Sequence, residues 1–137
     1  MIQKILCPTD GTEHSDIAIR YAAELAAKWG AALTICVVNI AHGTPRAPVI
    51  LHWSDQEISD LLERASEIAR NSGIAQPKQV SVVSREAAAG IVAYAEENGY
   101  DQIVVGTGDK RGLSRLMIGS VAADVVARAH GTVTVAR

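Results

Sequence analysis

Residues Ala32–Ile40 read ALTICVVNI, a run in which only Thr34 and Asn39 are polar. A stretch this short and this apolar reads as a strand buried on both faces, and such strands belong to parallel sheets covered by helices on both sides. Toward the N-terminus, Ile2–Pro8 (IQKILCP) reads as a first strand. Between the two, Ser15 caps a segment whose Ala18, Tyr21, Ala22, Leu25 and Trp29 follow helical spacing, and Gly30 stops it where the chain must turn left-handed. Toward the C-terminus, AHGTPRAPVILHW (41–53), with Gly43, Pro45 and Pro48, reads as a long loop. Ser54 with Glu57 forms a capping box, opening a helix that sets Ile58, Leu61, Leu62, Ala65, Ile68 and Ala69 on one face and ends near Gly73. A third strand follows over Lys78–Val83, a helix over Glu86–Asn98 closed by Gly99, and a fourth strand over Asp101–Val105. Ser120–Ala129 is the fourth helix, stopped by Gly131, and TVTVAR is the fifth strand. Strands alternating with helices in this way make βαβ units with right-handed crossovers. The expectation is a single α/β domain over residues 1–137, an open five-stranded parallel sheet with helices on both faces.

Composition narrows the function. The chain has 137 residues, 48% hydrophobic and 20% charged, with no Phe, so its core must be built from Ala, Val, Ile and Leu. A formal net charge of −2 gives no basic footprint for nucleic acid. No run approaches the roughly 20 apolar residues of a membrane-crossing helix, and MIQKILCPTDG does not have the form of a secretory leader. A cytoplasmic protein is expected. Cys7 and Cys36 sit in apolar strands without C-x-x-C spacing and read as buried small hydrophobes.

In open α/β sheets a ligand settles beyond the carboxyl ends of the strands. Two loops there carry suitable residues: Pro8-Thr9-Asp10-Gly11 after strand one, and Gly106–Ser120 after strand four. Glycines at 106, 108, 112 and 119 permit close backbone approach, and Gly119-Ser120-Val121 opens a helix whose free amides form an anion cradle. The plainer reading makes Ser120 an N-cap and the glycines a tight turn. Asp10 is either an acceptor for a ribose or base, or the first residue of an Asx turn. Lys110, Arg111 and Arg115 are either a phosphate clamp or a solvated loop face. His14, His42, His52 and His130 lack zinc-ligand spacing, and no Ser-His-Asp or Cys-His pairing emerges from order and spacing. A binding protein is expected rather than an enzyme, with weak ATP hydrolysis at most.

The two ends of the chain, ILCPTDGTEHSDIAIRYAAELAAKWGAALTICVV and DQIVVGTGDKRGLSRLMIGSVAADVVARAHGTVTVAR, resemble the opening and closing halves of the universal stress protein family. The resemblance covers essentially the whole chain and is least specific over 41–53. It implies a Rossmann-like, adenine nucleotide alpha hydrolase-like sheet of order 3-2-1-4-5, and often a homodimer formed through the last strand. It also implies an adenine nucleotide, ATP or AMP. Pro8, Thr9, Asp10 and Val38 would meet its adenosine end. Gly106, Gly119, Ser120 and Val121 would meet its phosphates, with Thr107, Gly108 and Asp109 in the same loop. ATP-binding members carry G-x-x-G, nine residues, then G-[ST]. Here the second glycine is replaced by Asp109. A carboxylate about 4 Å from a phosphate charge costs roughly 4 kcal/mol at an effective dielectric near 20, almost a thousandfold in affinity. Lys110, Arg111 and Arg115, or a bridging Mg²⁺, would offset it. Two expectations therefore stand: a nucleotide-responsive module of stress response or signalling, and an interaction protein of the same family that has lost the nucleotide and pairs through Thr132–Ala136.

Overall fold

The structure is a computed structural model that describes residues 1–107 and 118–137. Its elements run β1 (Lys4–Pro8), α1 (Glu13–Trp29), β2 (Ala32–His42), β3 (Ile50–Leu51), α2 (Asp55–Asn71), β4 (Lys78–Ser84), α3 (Ala87–Glu97), β5 (Gln102–Gly106), α4 (Ser120–Arg128) and β6 (Thr132–Ala136). Five strands are parallel and lie in the order β4-β2-β1-β5-β6, the expected succession of an α/β sheet.

Alternation of side chains along the strands divides the core in two. Ile5, Cys7, Ile35, Val37 and Val104 pack beneath α1 and α2. Leu6, Cys36, Val38, Ile103 and Val105 pack beneath α3 and α4. Both cysteines are free and buried. No helix among the described residues is long and apolar enough to cross a membrane.

The structure departs from the sequence reading in four places. Thr12, not Ser15, caps α1: its hydroxyl accepts from Ser15 N, while Ser15 Oγ donates to Thr12 O. The helix also turns a different face inward. Ala18, Ile19, Ala22, Ala23 and Ala26 are buried, whereas Tyr21 is 44% and Trp29 52% exposed. The helix start lies close on β5: a Cβ added to Gly106 would lie 2.4 Å from His14 O. At the other end of the chain, Gly119 is the N-cap residue of α4 and Ser120 its first helical residue. The same helix finishes at Ala129 in extended backbone, without a left-handed Gly131.

The fourth departure bears on function. Residues 41–53 are not all loop: β2 runs on to His42 and pairs antiparallel with the short β3, adding a sixth strand. Thr9 N donates to Cys36 O and His52 N to Ile40 O. The β2–β4 ladder between these residues is unbroken, so Cys36 and Ile40 point their backbone groups to the same edge. β3 therefore takes up the lane that β1 leaves at Pro8, and roofs the carboxyl end of the sheet.

Candidate functional site

Beneath that roof lies a cavity of about 600 Å³. It gathers the C-terminal ends of β1, β2 and β5, the hairpin, and the first turns of α3 and α4. Pro8, Thr9, Asp10, Val38, Gly106, Thr107, Gly119, Ser120 and Val121 all line it. Gly108 and Asp109, with Lys110, Arg111, Gly112 and Arg115, lie outside the described residues.

The turn after β1 is held by its own polar groups. Asp10 Oδ1 accepts from Thr12 N at 3.0 Å and Thr12 Oγ1 at 2.6 Å, so the Asx turn is formed, and Asp10 is nonetheless exposed at the cavity. Thr9 is buried, its hydroxyl 3.1 Å from Ser15 Oγ and accepting from Gly11 N. Arg64 reaches over from α2, where its guanidinium donates to Gly11 O at 3.2 Å and grips the buried Asp16 carboxylate with both arms. A fork held this way fixes geometry as well as charge. The β1–α1 turn is thereby braced from the helix that follows the hairpin. Thr107 Oγ1 lies 3.4 Å from His14 Nδ1, joining the end of β5 to α1.

The helix starts differ in a way that matters for a guest. α1 and α2 carry side-chain caps and acids in their first turns: Thr12 with Glu13 and Asp16, and Ser54 with Asp55 and Glu57. α3 and α4 have neither, and their first residues, Ala87 and Ser120, both line the cavity. The first amides of a helix have no intrahelical acceptor, and their dipole end favours negative charge. Two such ends open into one space.

Sequence reasoning missed the opposite wall. Ile40, His42, His52 and Trp53 line the cavity from the hairpin. The His42 and His52 rings stand edge-on with centroids 5.8 Å apart, and His52 meets the Trp53 indole at 4.9 Å. Trp53 also packs on the α1/α2 core. Thr12, Ser15, Ile91, Val105 and Ala122 complete the lining. The available signal was Asn39, a lone polar residue near the end of an apolar strand. No group of three or more metal-ligating side chains occurs among the described residues. The arrangement is suited to holding a molecule that is flat and apolar on one side and anionic on the other.

Comparison with known proteins agrees over the full length. The model of the Universal stress protein family matches residues 1–137. A universal stress protein of Methanocaldococcus jannaschii is 31% identical over 143 residues, covering 100% of this chain and 83% of the relative. The crystal structure of a universal stress protein in complex with cAMP is similar with a TM-score of 0.76 and 28% identity, over 99% of this chain and 97% of that one. The universal stress protein from Archaeoglobus fulgidus in complex with dAMP gives a TM-score of 0.70 and 25% identity, over 100% and 98%.

Proposed function

The chain belongs to the universal stress protein family, and from that premise we propose that it is an adenine-nucleotide binding module rather than a catalyst. The nucleotide is ATP or AMP. It lies with its adenosine end on Pro8, Thr9, Asp10 and Val38 and its phosphates toward Gly106, Gly119, Ser120 and Val121. One observation carries the reading: the two helices without side-chain caps or first-turn acids both open onto the same cavity of about 600 Å³. That volume is in the range of small-molecule sites, roughly 300–1,000 Å³. The neighbours in complex with cAMP and dAMP support the choice of an adenine ring.

In this reading the occupied cavity reports nucleotide status to a partner in the cytoplasm, and the protein is a homodimer through β6. This strand forms one end of the sheet, with backbone groups free to pair along its outer edge. α4 beside it exposes Val121 and Val126. Light scattering at high protein concentration tests the association; a monomer mass removes it.

Asp109 motivates the competing reading, a family member that has given up its nucleotide and keeps only the interaction. Mass spectrometry of small molecules released from freshly purified, denatured protein separates the two, together with calorimetry using AMP and ATP. A released adenine nucleotide, or micromolar binding, upholds the module. Protein that is empty and fails to bind either ligand, but gains affinity in Asp109→Gly, upholds the interaction protein.

A further inference from the structure

We propose that the β2–β3 hairpin is the base-recognition wall of the cavity and that Asn39 is the residue that positions it, an inference that rests on the nucleotide reading above. Asn39 is only 3% exposed, although the run around it is apolar. Its amide Nδ2 donates to Trp53 O at 2.9 Å, and its Oδ1 accepts from Trp53 N at 2.9 Å. The side chain thus stands in for a β-strand partner, using both its donor and its acceptor on one peptide unit fourteen residues away. Neither Asp, which has no donor when ionised, nor Leu, which has neither group, can do this.

This latch returns the chain of residues 43–49 to the sheet. Trp53 is drawn onto the α1/α2 core, and β3 is brought alongside Ala41 and His42. Along β2, Val38, Ile40 and His42 occupy alternate positions and so share the face that turns toward the cavity, and His52 stands opposite Ile40. The result is a wall of two aliphatic side chains and two imidazoles. The uncapped starts of α3 and α4, with the β1–α1 turn and Thr107, supply the polar part of the lining. A phosphate gains nothing from the aliphatic side chains, whereas a flat heteroaromatic base packs on them and on the rings. The hairpin therefore reads the base end of the guest.

Calorimetric titration of the full chain with adenosine, AMP and CMP tests this. In Asn39→Asp, affinities for adenosine and AMP should fall together by about tenfold or more, the worth of a lost hydrogen bond and a misplaced wall. Their ratio should stay at the wild-type value, and the preference for AMP over CMP should shrink. His52→Ala should act in the same direction and His52→Phe should restore the base preference. Gly119→Asp, by contrast, should change the AMP-to-adenosine ratio. If the Asn39 variant does not fold, the exposed His52 pair decides alone. Wild-type affinities and base preference in both the Asn39 and His52 variants would overturn the inference while leaving the nucleotide reading in place. A wild-type protein that binds none of the three ligands would overturn both.

Discussion

The two ends of the sheet treat their polar groups in opposite ways. At the amino end, Asp101 accepts from Gln3 N and Lys4 N, both at 2.8 Å. The Lys4 ammonium lies 4.4 Å over the Tyr100 ring, and the Tyr100 hydroxyl donates to Thr34 Oγ1. These bonds hold β1 and β2 to the turn before β5. At the carboxyl end, α3 and α4 begin without side-chain caps beside a large cavity. Both ends belong to one sheet, and the contrast lies in where their polar groups find partners. The amino end spends its donors within the chain, as does the β1–α1 turn at the carboxyl end, and in the reading above the heads of α3 and α4 keep theirs for something that arrives.

The sharpest way to break the contrast is to make the head of α4 resemble that of α1. Gly119→Asp places a cap and a negative charge among the free amides. Affinity for AMP should fall by about a thousandfold, from roughly 4 kcal/mol of repulsion, as read by calorimetry. Thermal stability should rise slightly, by about 0.5 kcal/mol, because the helix gains its missing cap. A loss of both affinity and stability would mean that α4 was not waiting for an anion.

Next in size is Gly106→Ala. The new methyl would meet His14 O and Ser15 N, both backbone atoms that cannot swing aside. Chemical denaturation should show a loss of about 1–3 kcal/mol. An unchanged midpoint would mean that α1 can lift from β5, and that the open end is looser than its geometry implies.

Thr12→Ala removes the α1 cap and should cost about 1 kcal/mol in a urea titration. Affinity for AMP should suffer far less than in Gly119→Asp. Equal losses would erase the difference between the two helix heads.

The last probe concerns the sewn end. The backbone amides of Gln3 and Lys4 hold the Asp101 carboxyl below its usual range. A carboxyl depressed on folding stabilises above its unfolded pKa, near 3.9, and loses that contribution as pH falls through the native value. The stability difference between wild type and Asp101→Asn, read from melting curves, should therefore be constant near neutrality and shrink below about pH 4. A pH-independent difference would show that the charge has no part in the stitching.

Much of this molecule is legible in its residues because local signals and burial agree. The run at Ala32–Ile40 demanded a doubly covered sheet. The Ser54/Glu57 capping box formed as written, with both of its hydrogen bonds in place. Gly30 adopts the left-handed conformation that ends α1. The face of α1 was not legible because an Ala-rich helix has little contrast around its circumference. The face that is buried carries Ile19 among four alanines, and the larger Tyr21 and Trp29 stay half exposed. Thr12 was discoverable from the acids at Glu13 and Asp16, which mark a first turn. β3 was not: two residues just beyond Pro48 carry no strand signature, and they pair with Ala41 and His42 on the far side of a Gly- and Pro-bearing turn. The same pairing explains why the cavity residues on the direct strand–helix turns could be named from sequence, whereas His42, His52 and Trp53 could not.

Cys7 and Cys36 occupy neighbouring strands yet belong to different cores, one on each side of the sheet. Side chains that leave a sheet in opposite directions cannot be bridged without moving backbone. Burial also pushes the Cys36 thiol up to about 12 and Cys7 higher still, so neither offers a thiolate at neutral pH. The two thiols of the native protein are accordingly shielded from disulfide exchange. Those of the unfolded chain are not, because there both sulfurs are free to meet each other or another molecule. Oxidation during folding would form a covalent link that the finished architecture has no place for, so recovery from denaturant should require a reducing agent even though the folded state does not.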